Sequence, residues 1–242
     1  MKFSATTVLA ALAAVASAVP VCKPPVYTLP KIGEGAELTP PAASLVLKKI
    51  AIGHGIQNYT CAANTGDSVA TGALAILHDV TSFYPGTERT GVPQNAWDGL
   101  PSNLLWNTPF PLNKLAGTEY GADPTTPFPV TGDLRLKGVP PAKFLGHHFF
   151  DSKGTPVFDL PAAGLKAVLK KTDTKTAPSG ADKGIIGTGA VAWLQLDDNG
   201  TGQSVGVTSV YRVITAGGAP QPCSAVGAGV QSVPYTTFYW FF

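Results

Sequence analysis

The chain has 242 residues, of which 13% are charged, and a formal net charge of +2. So weak a charge, with no Lys/Arg cluster interleaved with aromatics, gives no electrostatic basis for nucleic-acid binding. The charged fraction is well below the roughly 25% of ordinary domains, and the 27 glycines and 22 prolines predict many turns and few long helices.

The first residues predict a secretory leader over 1–18. Lys2 supplies the positive charge, an apolar run extends from about Thr7 to Ala16, and Ala16-Ser17-Ala18 forms the small-x-small cleavage site. The run is far shorter than the roughly 20 residues of a membrane span, and no later segment reaches that length. Residues 19–44 are Pro-rich and read as an extended arm. The remainder, 45–242, is expected to be one mainly β domain, a sandwich or a partly open barrel with one short helix. Leu45–Tyr59 contains two β-prone runs interrupted by Gly53-His54-Gly55, and Ala70–Val80 is apolar and fits strand or helix. Residues 84–130 are rich in Pro, Gly, Asn and Thr, a long surface excursion or a set of short strands.

Lys143–Phe150 and Pro156–Leu160 predict strands. Pro161–Lys171 predicts the helix, with Pro at its start and lysines in its last turn. Ala190–Leu196 and Ser204–Thr215 flank Asp197-Asp198-Asn199-Gly200 as a hairpin, and Val233–Phe242 forms a last strand. The aromatic terminus is costly to expose and should be docked in the core.

Two short motifs suggest chemistry and lack its context. Gly202-Gln203-Ser204-Val205-Gly206 has the nucleophile-elbow pattern, but a strand-like segment follows and every histidine precedes it. Gly187-x-Gly189-x-x-Ala192 has a dinucleotide-fingerprint pattern but opens a strand-like segment, and the acids Asp197 and Asp198 come too early. No cofactor is therefore expected. The four histidines, His54, His78, His147 and His148, show no metal-ligand spacing, and the last two point to opposite faces of one strand. Glu88, Asp98, Glu119 and Asp123 could supply a carboxylate pair for a hydrolase in the 84–130 region, though nothing in their spacing selects two. Trp97 and Trp106 would suit sugar stacking if exposed and the core if buried. Asn58-Tyr59-Thr60 and Asn199-Gly200-Thr201 are glycosylation sequons, and Cys22, Cys61 and Cys223 allow one disulfide with one thiol left over.

Six motifs in fixed order carry a family resemblance. They are Gly53-x-Gly55-x-Gln57-x-Tyr59-x-Cys61; Gly146-His147-His148-Phe149 with Thr155-Pro156-Val157-Phe158; Ala192-Trp193-Leu194; Val210-Tyr211-Arg212-Val213; Thr215–Pro220 with Cys223; and Val233-Pro234-Tyr235-Thr236. Together they resemble the fungal branch of domain of unknown function 3455, over about residues 45–242. The resemblance implies a secreted or cell-surface protein without an established activity. The label "malate dehydrogenase", common in that family, finds no support in the residues. Matching motifs make Gln57, His148 and Arg212 the ligand-binding candidates. Cys61 and Cys223 fall on family cysteine positions, and Cys22 sits in the arm, so Cys61–Cys223 is the expected bridge. The expected function is a non-enzymatic extracellular or cell-wall-associated binder of a carbohydrate or other surface ligand, with the carboxylate-pair hydrolase as the alternative.

Overall fold

The computed structural model describes residues 25–242. The expected leader at 1–18 and Cys22 lie outside the described residues. Among the described residues eight strands form: β1 (Lys49–Cys61), β2 (Val69–Asp79), β3 (Lys143–Phe150), β4 (Pro156–Leu160), β5 (Leu165–Lys175), β6 (Trp193–Asp198), β7 (Ser209–Gly217) and β8 (Gly229–Phe241). Each pairs antiparallel with its successor, and β8 pairs back with β1 from Lys49↔Phe241 to Cys61↔Gly229. The mainly β expectation holds, and the barrel is closed, so that each strand has a partner on both sides.

Period-two alternation explains the closure. On β8, Tyr235, Tyr239 and Phe241 belong to the lumen core, with Ala51, Ala75, Leu77, Phe158, Leu160, Ala167, Leu169 and Val210 from the other strands. Phe238 and Trp240, the intervening residues, belong to a second core on the outer wall, with Ile50, Ile52, Tyr211 and Val213. A strand apolar on both faces must be covered on both. Two short helices do this, α1 (Gln94–Asp98) and α2 (Leu100–Asn107), by bringing Trp97, Leu100 and Leu104 onto the outer wall. Ile32 and Leu38 of the Pro-rich arm complete the layer, and the Tyr211 hydroxyl donates to the Thr39 carbonyl. A third cluster packs Leu112, Phe110 and Phe128 over Ile56 and Ile76 of β1 and β2. The 84–130 excursion is thus the outer coat of one half of the barrel.

Gly53 and Gly55 do not break β1, because both are lumen positions where the wall must be approached closely. A Cβ on Gly53 would stand 2.7 Å from the Tyr239 ring, and one on Gly55 would overlap the Leu74 carbonyl. The apolar segment expected at 70–80 resolves as strand β2, Val69–Asp79. The helix predicted over Pro161–Lys171 is not formed. Pro161–Ala163 make one 3-10 turn, Gly164 takes a left-handed φ of 65°, and Leu165 starts β5. The residues that suggested a helix instead alternate across a wall, with Ala167 and Leu169 in the lumen core and Lys170 exposed.

Candidate ligand site in the barrel lumen

The two ends of the barrel differ. The end carrying the β4–β5 and β6–β7 turns is filled by Leu160, Leu165, Val207 and Phe241. The other carries the β1–β2, β3–β4, β5–β6 and β7–β8 connections, and a cavity of about 730 Å3 lies toward it. Gln57, Tyr59, His148, Phe150, Phe158, Leu194, Arg212 and Tyr239 are among its lining residues. β5 continues beyond β4 from Leu169 to Lys175, pairing there with β6, and Lys170, Lys171 and Thr174 of this stretch line the cavity opposite Gly154–Pro156.

Strand register brings the polar residues together. Gln57 stands on β1, His148 on β3 and Arg212 on β7, and all three are buried. The Arg212 guanidinium donates from Nε and Nη2 to the Ala192 carbonyl, at 3.1 and 2.8 Å, and from Nη1 to Gln57 Oε1 at 3.3 Å. Gln57 Nε2 donates to the Gly72 carbonyl at 2.6 Å, which fixes the amide orientation. Among the described residues Arg212 takes part in no salt bridge, and no Asp or Glu lines the cavity.

His148 stacks on Phe158 with ring centroids 4.0 Å apart and planes 6° from parallel. Its Nδ1 lies 2.8 Å from the Val157 carbonyl. A carbonyl only accepts, so Nδ1 carries the proton and Nε2 is left as an acceptor. Burial pushes the imidazole down to about 4, and the Arg212 charge adds to the effect, so it is neutral at pH 7. Tyr235 and Tyr239 share a hydrogen bond of 2.8 Å between their hydroxyls. Burial raises both phenols, while the nearby Arg212 charge opposes the rise. Tyr59, pushed up to about 12 by burial, donates to the Gly218 carbonyl at 2.7 Å.

The sequence therefore singled out three residues that meet in one cavity. It missed Tyr59 and Tyr239, whose signal was present: each shares the inward face of its strand, Tyr59 with Gln57 and Tyr239 with Tyr235. The tryptophans lie elsewhere. Trp97 is in the core, stacked on Phe238 at 4.3 Å, while Trp106 on α2 is exposed and donates from its indole to Asp182. The four acids of the 84–130 region are not gathered in the lumen. Asp98, Asp123 and Glu119 line three other depressions, and Asp123 accepts from the backbone of Thr125 and Thr126. Gly187–Ala192 leads into strand β6 and Gly202–Gly206 lies in the β6–β7 turn, so neither motif has the helix its chemistry requires. Among the described residues no group of three or more His, Cys, Asp or Glu is placed to hold a metal ion.

Cys61, at the end of β1, is bonded to Cys223, which opens the short helix α3 (Cys223–Val226), as the family positions implied. The bridge closes the rim of the cavity end over a separation of 162 residues.

Fold and site together define a closed, eight-stranded up-and-down barrel with an apolar lumen centred on a buried arginine. The chain belongs to the family described as protein of unknown function (DUF3455), whose model matches residues 41–242. No curated protein and no solved structure matches it.

Proposed function

We propose that this chain is a secreted, non-enzymatic protein that binds a small, largely apolar molecule in the barrel lumen. The observation that carries the reading is the cavity itself, about 730 Å3, walled by Phe150, Phe158, Leu194 and Tyr239 and holding a few convergent polar groups. Ligand sites have this size and composition, and an eight-stranded barrel is just wide enough for one such molecule. The leader expected at 1–18 and the Cys61–Cys223 bridge support an oxidising, extracellular setting. Among the described residues no helix is long and apolar enough to cross a membrane. A polysaccharide partner has weaker support, because of the two tryptophans proposed for sugar stacking Trp97 is buried and only Trp106 is exposed. The carboxylate-pair hydrolase has weaker support, because Asp98, Glu119 and Asp123 of the 84–130 region line three separate depressions.

The test uses the neutral, environment-sensitive dye N-phenyl-1-naphthylamine with the disulfide-bonded protein. Saturable fluorescence enhancement at one site is expected, lost in Leu194→Trp, which enlarges a side chain lining the cavity. No enhancement, or enhancement unchanged in that variant, would refute lumen binding.

A further inference from the structure

We infer that the lumen ligand is an aromatic monocarboxylate carrying a hydroxyl group, with the carboxylate held by Arg212 and the hydroxyl by His148. This rests on the lumen-binding reading and names the chemistry of its ligand.

Arg212 supplies the first argument. A guanidinium keeps its charge throughout the physiological range, and a buried charge without a counter-ion is costly. Among the described residues no counter-ion is present: no acid lines the cavity, and the groups that hold Arg212 are the neutral Ala192 carbonyl and Gln57 amide. Three of its five N–H groups are directed at these acceptors and the Tyr239 hydroxyl engages the same guanidinium, so one N–H group is left to offer a ligand. A charged N–H group is a strong donor to a carboxylate oxygen. Lys170 and Lys171 add charge of the same sign at the cavity wall, and a cleft lined by one sign of charge concentrates the opposite ion. Both lysines are exposed and only Arg212 is buried, and a single buried guanidinium balances one negative charge, whereas a phosphate monoester carries closer to two at neutral pH.

His148 supplies the second. Its Nδ1 proton is committed to the Val157 carbonyl, so the ring nitrogen it can offer a ligand in the cavity it lines is Nε2. A neutral imidazole nitrogen of this kind accepts a hydrogen bond, so the group it selects is a donor such as a hydroxyl. The rings of Phe150, Phe158 and Tyr239 among the cavity's lining residues favour an aromatic body.

The experiment is displacement of N-phenyl-1-naphthylamine at pH 7 by 4-hydroxycinnamate, its neutral amide, cinnamate and phenyl phosphate. The acid should displace the dye at least about tenfold more tightly than the amide, the value of one charge-assisted hydrogen-bond pair, and Arg212→Met should abolish the difference. Arg212→Lys keeps the charge without the planar fork and should reduce the preference several-fold, which gives a reading even if the methionine variant does not fold. The hydroxylated acid should be about fivefold tighter than cinnamate, and His148→Phe should remove that margin. Equal displacement by acid and amide would overturn the carboxylate assignment and leave lumen binding standing. Tighter displacement by phenyl phosphate, or an acid preference that survives Arg212→Met, would overturn it too. Failure of the dye itself to bind would overturn both readings.

Discussion

Tyr239 shows how tightly single residues determine the lumen. Its ring lies against Gly53 on the neighbouring strand and edge-on to His148 and Phe158, and its hydroxyl meets that of Tyr235. The space Gly53 leaves is therefore occupied by an aromatic ring. Gly53→Val should displace that ring and destabilise the fold by about 1–3 kcal/mol, the usual cost of overpacking. Urea unfolding would measure it, and a change below about 0.5 kcal/mol, the range of a surface substitution, would contradict the packing described. Gln57, His148 and Arg212 could be named from the sequence because motif positions marked them, not because any spacing along the chain showed that they meet. Residues 57, 148 and 212 become neighbours only through closure, which no local pattern encodes. The tyrosines were legible in principle, since Tyr235, Thr237, Tyr239 and Phe241 alternate within Val233–Phe242.

At the scale of elements, the coat over β1–β3 covers three histidines that the lumen does not use. His54 faces Thr108, His78 faces the Gly132 carbonyl, and His147 stacks on Phe128 at 4.0 Å. Burial lowers all three; for His54 the value is pushed down to about 3, with His78 adding to the effect. Asp133 and Asp159 oppose this at His78 and His147. The folded protein thus holds these groups neutral at a pH where the unfolded chain would protonate them. Their contribution is complete above the ordinary histidine value of about 6.5 and is lost as pH falls toward the folded values. The melting temperature should therefore drop between pH 7 and pH 4, and His54→Gln, which does not titrate, should flatten that dependence. A pH profile unchanged by His54→Gln would contradict the burial of this side chain. The coat also rests on α2, so Leu104→Ala, at a fully buried position, should cost about 2–5 kcal/mol by the same urea assay. Strands β3 and β4 match the sequence expectation residue for residue, because alternation and flanking turns mark them. The segment 161–171 misled because Ala, Leu and Lys are good helix formers, while closure required those residues as a wall. The two helices of the coat were hidden by their shortness and by the prolines and glycines around them.

For the whole molecule, the chain must bring β8 beside β1 before the barrel can close, and the Cys61–Cys223 bridge holds the two ends of the sheet at the cavity rim. In the chain-entropy model a loop of this length is worth roughly 5 kcal/mol, and measured values run lower. Cys61→Ser with Cys223→Ser should lower the melting temperature and leave the barrel able to fold, because strand pairing from Lys49↔Phe241 onward does not depend on the bridge. Non-reducing peptide mapping of the native chain should yield the 61–223 peptide. The closed wall, the filled end and the uncompensated arginine at the other end all point to one occupant inside the barrel. The most direct measurement of that claim is a crystal structure of the disulfide-bonded protein grown with 4-hydroxycinnamate. The account predicts density in the lumen cavity beside Phe150 and Leu194, with the carboxylate on Arg212 and the hydroxyl at His148 Nε2. An empty lumen, with the compound bound on the outer wall near Trp106, would contradict it.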